Sequence, residues 1–204
     1  MDGVVLDSEP LHQKAREIMY KKYAVHIDSD FPDPVGKSSS GYWRWIKERC
    51  GRTWEPLQME QEQYKLVLKQ VQEDKISETQ NLRMVLQWSK KNNLKIGLAS
   101  SSSRMLVNGI LNALQLKSFF DCTISGDEVD KKKPAPDVYN AVLKSMKIRP
   151  EEAIAIEDSN TGIKAAKMAG IRCLAYRNPS SGNQNLSEAD SIIINMAEIS
   201  DFIL

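Results

Sequence analysis

Hydrophobic and polar positions divide the chain into two regimes. Leu11, Ala15, Ile18 and Met19 recur at helical spacing. Ser8 reads as the helix N-cap, with Pro10 in the first turn and Asp7 and Glu9 favourable at the positive helix end. Gly36-Lys37-Ser38-Ser39-Ser40 reads as a loop. Tyr42, Trp43, Trp45, Ile46 and Cys50 follow on a short helix that Gly51 ends. Thr53 and Pro56 open another, with Leu57, Tyr64, Leu68 and Val71 on one face. Up to about residue 76 no strand-like alternation appears. The pattern predicts a small helical bundle whose aromatic residues form its core.

From Ser77 the pattern changes. Ser77 and Gln80 have the spacing of a capping box, for a helix that buries Leu82, Val85, Leu86 and Ser89. Short apolar strands are predicted at Leu94–Ala99, Cys122–Ile124, Ala153–Ile156, Ile171–Tyr176 and Ser191–Ile194. Helical patterns separate them, through Leu106 to Leu114, Pro136 to Met146 and Thr161 to Ala169. Val4-Val5-Leu6 reads as the apolar exit of a further strand. Strands alternating with helices predict an α/β fold, a parallel sheet covered on both faces. Right-handed crossovers place all strand C-termini on one edge, where ligands collect.

Composition narrows the function little. A chain of 204 residues, 41% hydrophobic, buries a full core in one or two domains. A net charge of +1 gives no whole-chain case for nucleic acid or an anionic membrane. The three cysteines, Cys50, Cys122 and Cys173, show no metal spacing, which suits a reducing compartment and packing roles. No apolar run reaches the roughly 18 residues of a bilayer span, and no secretory signal is visible. A cytoplasmic monomer is the default expectation.

The chemistry-bearing residues fall just after the predicted strands. Ser100 and Ser101 open a serine run at a helix start, where a hydroxyl and backbone N–H groups can cradle a phosphate; a simple helix cap is the competing reading. Lys133, before Pro134-Ala135-Pro136, can neutralise a phosphoryl group from a rigid loop. Glu157-Asp158 suits a hard, oxygen-loving cation such as Mg²⁺. At a strand mouth, carboxylates two residues apart point to one side, so one can attack phosphorus while the other handles a proton.

Four fragments carry a family resemblance: Asp2-Gly-Val-Val-Leu-Asp-Ser-Glu-Pro, Leu98-Ala-Ser-Ser-Ser, Lys132-Lys-Pro-Ala-Pro-Asp-Val-Tyr and Glu157-Asp-Ser-Asn-Thr-Gly-Ile. In this order the chain resembles the haloacid dehalogenase superfamily, and within it the β-phosphoglucomutase-like branch. The resemblance implies a Rossmann-like core over 1–10 and 77–204 and a helical cap over 11–76. It implies that Asp2 is the general acid/base and that Mg²⁺ is held by the first motif's nucleophilic Asp, the Asp2 backbone carbonyl and Asp158, with Glu157 supporting. It places His12 near the mouth of the site, although a lone histidine also suits a surface or hinge position. In sugar-phosphate mutases of this branch a cap Arg grips a second phosphate. Counted from Gly36, Ser39 stands there, and Lys37 or Arg44 are the substitutes.

The implied activity is hydrolysis of a small phosphorylated metabolite through an aspartyl-phosphate. A mutase is the alternative, and a non-catalytic phosphate-binding protein is a third reading. A dehalogenase fits less well, since it has no need of the metal-binding acidic pair. The nucleophilic Asp of the first motif would fall one position before Met1. The 204 residues alone are therefore expected to be inactive, and a start called at the internal Met of an Asp-Met-Asp-Gly motif is the simplest origin. Losing about five buried apolar residues of that strand, at roughly 1.5–3 kcal/mol each, would rival the whole stability of a domain.

Overall fold

The computed structural model describes residues 1–32, 34, 35, 38–74 and 76–203. They form two compact units, Ser8–Ile76 and Met1–Asp7 with Ser77–Leu204.

The first unit is helical: α1 (Glu9–Lys22), α2 (Ser39–Arg49) and α3 (Pro56–Glu73). α3 packs on both of the others. Met19, Val25, Tyr42, Trp43, Ile46 and Met59 make its core, with Trp43 and Ile46 wholly buried. Each such side chain contributes about 1.5–3 kcal/mol by burial. Four details differ from the sequence reading. Ser8 precedes α1 in a helical conformation, not the extended one of a side-chain cap. Ser39 and Ser40 lie in α2 rather than a loop, because the Ser38 hydroxyl accepts from Gly41 N (3.1 Å) and caps the helix. Leu57 is 59% exposed, since the first turn of α3 projects past its packed stretch, which starts at Met59.

His12 is the fourth. It is buried, not a surface residue, because a polar relay satisfies it. Trp43 Nε1 donates to Gln63 Oε1 (2.7 Å), and Gln63 Nε2 lies 2.9 Å from His12 Nδ1.

The second unit is α/β. It runs α4 (Leu82–Lys91), β1 (Gly97–Ala99), α5 (Arg104–Ala113), β2 (Cys122–Ile124), α6 (Asp137–Met146), β3 (Ile154–Glu157), α7 (Asn160–Met168), β4 (Arg172–Tyr176) and β5 (Ser191–Ile193). β1 pairs with β2, and β3, β4 and β5 pair in that order; every pairing is parallel. Ala165, Ala166 and Ile163 of α7 are fully buried with Cys173 and Ala175 of β4, so small residues bring this helix close to the sheet. All three cysteines are free.

Three local expectations are corrected here. α4 has no Ser77–Gln80 capping box; Asn81 takes the left-handed conformation (φ 66°) and starts the helix at Leu82. β1 is shorter than Leu94–Ala99, because Leu94 N closes α4 onto Ser89 O (2.9 Å) and Ile96 N bonds the Asp121 carboxylate (2.8 Å). Val4-Val5-Leu6 is a turn instead of a strand exit. Val5 N donates to Met1 O (2.7 Å) and Gly3 N to Leu6 O (2.9 Å), with Val5 and Leu6 buried.

Candidate active site

The turn at residues 1–7 joins the C-terminal ends of β1 and β3. Asp2 Oδ2 accepts from Ser102 Oγ (2.7 Å), in the serine run after β1. That run is held by its own bonds: Ser102 N donates to Ser100 Oγ (3.1 Å) and Ser100 N to Ile124 O (3.0 Å). Gly3 sits at φ +71°, and a Cβ there would overlap the Asp158 carboxylate. Only glycine combines that conformation with so close an approach.

Lys133 closes the cluster from the loop before α6. Its Nζ donates to Ala99 O (3.1 Å) and to Glu157 Oε1 (2.5 Å). The Tyr139 hydroxyl donates to the same carboxylate oxygen, and the Lys133 ammonium lies 4.9 Å from the Tyr139 ring centroid. Lys133 and Glu157 side chains are 9% and 7% exposed, so this is a buried ion pair. At the start of α7, a Cβ on Gly162 would overlap the Glu157 carboxylate, so the helix entrance is closed over it.

Two adjacent carboxyls titrate in opposite directions. Burial pushes Glu157 up, but the charges of Lys133 and the Met1 α-amino group, with hydrogen bonds from Lys133 and Tyr139, hold it below the usual range. Asp158 is pushed up to about 6, by burial first and then by the Glu157 charge; the Ser181 hydroxyl opposes this. Burial and Glu157 also raise Tyr139 well above an ordinary phenol, so it stays a donor.

Asp2, Ser100, Lys133, Glu157 and Asp158 are therefore brought together, while Ser101 is exposed. His12, Ser39 and Arg44 belong to the helical unit, where Arg44 is exposed on α2; Lys37 lies outside the described residues. Four polar participants were not picked out in the sequence. Ser102 stands in a serine run that offers nothing to single it out. Asn178, Ser180 and Ser181 follow β4, and Ser181 Oγ donates to Asp158 Oδ2 across 23 residues of chain. Position after a strand was their only signal.

Among the described residues no group of three or more His, Cys, Asp or Glu side chains is arranged to hold a metal. A Mg²⁺ that keeps several waters needs fewer, one or two carboxylates and backbone oxygen. Asp158, buried beside Glu157 and Asp2 and raised by burial and the Glu157 charge, fits that donor set. Glu157 is committed to Lys133 and Tyr139 and would support from behind.

The profile of haloacid dehalogenase-like hydrolases matches residues 1–176. The chain belongs to this family. A phosphorylated carbohydrates phosphatase of Thermotoga maritima is 32% identical over 182 residues, covering 84% of this chain and 79% of that protein. The fold superposes on CbbY from Rhodobacter sphaeroides, solved with xylulose-(1,5)bisphosphate, at a TM-score of 0.85 with 22% identity, over 97% of this chain and 92% of that one. For β-phosphoglucomutase from Clostridium difficile the TM-score is 0.79 at 25% identity, over 98% and 92%. The chain is thus a β-phosphoglucomutase-like member of the haloacid dehalogenase-like hydrolases, with a Rossmann-like α/β core and a helical cap.

Proposed function

We propose that this hydrolase is a Mg²⁺-dependent phosphatase of small phosphorylated metabolites, phosphorylated sugars first among them. The observation that carries the reading is the seating of the Asp158 carboxylate on Gly3, beside Asp2, with Lys133 in the same cluster. The relative that hydrolyses phosphorylated carbohydrates supports the substrate class.

In this reading the Ser100 hydroxyl and the Ser101 backbone N–H receive the phosphoryl oxygens. Lys133, held by Ala99 O and Glu157, offsets their charge from a fixed position. Asp2 gives a proton to the departing oxygen, and the Ser102 hydroxyl fixes its carboxyl. Asp158 and the Asp2 backbone carbonyl would hold Mg²⁺, with Glu157 supporting. When bound, the cation supplies the charge neutralisation that lets a carboxylate approach a phosphate. The helical unit, residues 8–76, is assigned the family's cap role of substrate selection, with His12, Ser39 and Arg44 as its candidate residues. The attacking carboxylate of the first motif belongs one position before Met1.

The test compares the 204-residue chain with one extended by an apolar strand ending in Phe-Asp. Both are assayed with p-nitrophenyl phosphate and a panel of sugar phosphates, with and without Mg²⁺. Turnover is expected in the extended chain, and there only with Mg²⁺. Turnover in the shorter chain would overturn the assignment of the nucleophile, and inactivity of the extended chain on every ester would overturn the phosphatase. The similarity to β-phosphoglucomutase favours a mutase as the second reading. It predicts dependence on a sugar bisphosphate and little free phosphate.

A further inference from the structure

Residues 178–181, directly after β4, lie outside the four motif fragments, yet they bond to both of the segments that carry the proposed cation ligands. Asn178 Nδ2 donates to Gly3 O (3.2 Å) and to Asp7 Oδ1 (3.2 Å). Ser180 Oγ donates to the other Asp7 oxygen (2.6 Å). Ser181 Oγ donates to Asp158 Oδ2. Asn178 and Ser181 are 8% and 7% exposed. The segment is itself stiff: Pro179–Ser181 is a 3₁₀ turn, closed by Ser180 N on Asn178 Oδ1 (2.9 Å) and by Ser181 N on Asn178 O (3.2 Å).

We infer that this turn is a clamp in which Ser181 is a positioning residue for the cation-binding carboxylate. The inference rests on the Mg²⁺-dependent reading above. An aspartate turns about two side-chain bonds, and its free rotation would cost ordering entropy on every binding event. A hydroxyl fixed on Oδ2 sets the carboxylate plane and aims Oδ1. The same turn grips Gly3 O and Asp7, so one short segment references Asp158 to the backbone at residues 2–3. Partners that orient a metal's ligands typically account for about 10–100-fold in metal affinity. Ser181 is neither a ligand nor in contact with the phosphoryl group in this account; it acts through Asp158.

The experiment is titration calorimetry of Mg²⁺ into the 204-residue chain and its Ser181→Ala and Ser181→Thr variants, with thermal midpoints measured in metal-free buffer. Ser181→Ala is expected to weaken Mg²⁺ binding by about 10-fold, with its metal-free midpoint close to the parent's. Ser181→Thr, which keeps the hydroxyl, is expected to bind within about 3-fold of the parent, a fraction of that loss. Equal Mg²⁺ affinity in Ser181→Ala and the parent would overturn the clamp while leaving the magnesium reading intact. An equal loss in Ser181→Thr would also overturn it. A parent chain that takes up no Mg²⁺ removes the magnesium reading itself, and the clamp with it.

Discussion

Replacing Lys133 by Met strips the cation from a carboxylate that cannot reach water. Glu157 is 5% exposed and accepts from Lys133 and Tyr139. Breaking a buried pair from one side costs about 3–5 kcal/mol, because the remaining charge is left uncompensated. For a chain of this size that lowers the thermal midpoint by roughly 6–20 °C. The pH dependence follows from Glu157. In the parent its carboxyl is held below the usual range, so its contribution is present above the unfolded value and lost as pH falls through the folded one. In Lys133→Met, burial acts with less opposition and pushes the carboxyl up, so the penalty is present at neutral pH and relieved on acidification. The gap between parent and variant should be widest near pH 7–8 and shrink toward pH 4. The double variant Lys133→Met/Glu157→Gln removes the charge and keeps an acceptor for Tyr139. It should recover to within about 1–2 kcal/mol of the parent. Urea denaturation of all three proteins at pH 5 and 7.5 measures this. A double variant as unstable as the single one, or a loss independent of pH, would refute the account of the pair.

Gly3→Ala puts a Cβ into the Asp158 carboxylate at a positive φ; it should lose at least about 1–3 kcal/mol and most of its Mg²⁺ affinity, read by calorimetry. Gln63→Leu takes the acceptor from the buried Trp43 indole and the amide from His12 Nδ1, and should cost about 1–3 kcal/mol for each bond lost, read by urea denaturation. The same relay fixes a tautomer: Trp43 can only donate, so the Gln63 amide faces His12 Nδ1 and the imidazole proton sits on Nε2. With two histidines in the chain, a long-range ¹⁵N correlation spectrum reads this directly, and an Nδ1–H form would contradict it. Asp158 is raised from 3.8 to about 6, so the native state keeps a proton that the unfolded chain releases. Its contribution weakens the fold by about 3 kcal/mol as pH rises from about 4 through 6. Asp158→Asn should flatten that limb, and Mg²⁺ affinity should fall below about pH 6.

The fold was legible wherever one element decides itself. Cys122–Ile124 was placed to the residue, because a short β-branched and apolar run is bounded by Asp121 and Ser125. β1 was overextended because Leu94 and Ile96 are apolar for different reasons: one closes α4, and the other's N–H binds Asp121. In α3, buried Glu60, Gln63 and Gln70 interrupt the apolar stripe, and partners in α1 and α2 as well as in α3 itself satisfy them. At the candidate site, Ser100, Lys133 and Glu157-Asp158 stood out because each follows a strand. Tyr139 appeared as part of a motif, but its bond to Glu157 did not. Asn178, Ser180 and Ser181 act on partners up to 175 residues away, a link that only the folded chain reveals.

The central claim is that Asp2, Ser100, Lys133 and Asp158 hold a phosphoryl group together with Mg²⁺. Calorimetric titration of inorganic phosphate into the 204-residue chain tests it most directly, with and without Mg²⁺, alongside Asp158→Asn. The account predicts phosphate binding that requires Mg²⁺ and disappears in Asp158→Asn. Phosphate binding that ignores both the cation and the substitution would contradict it.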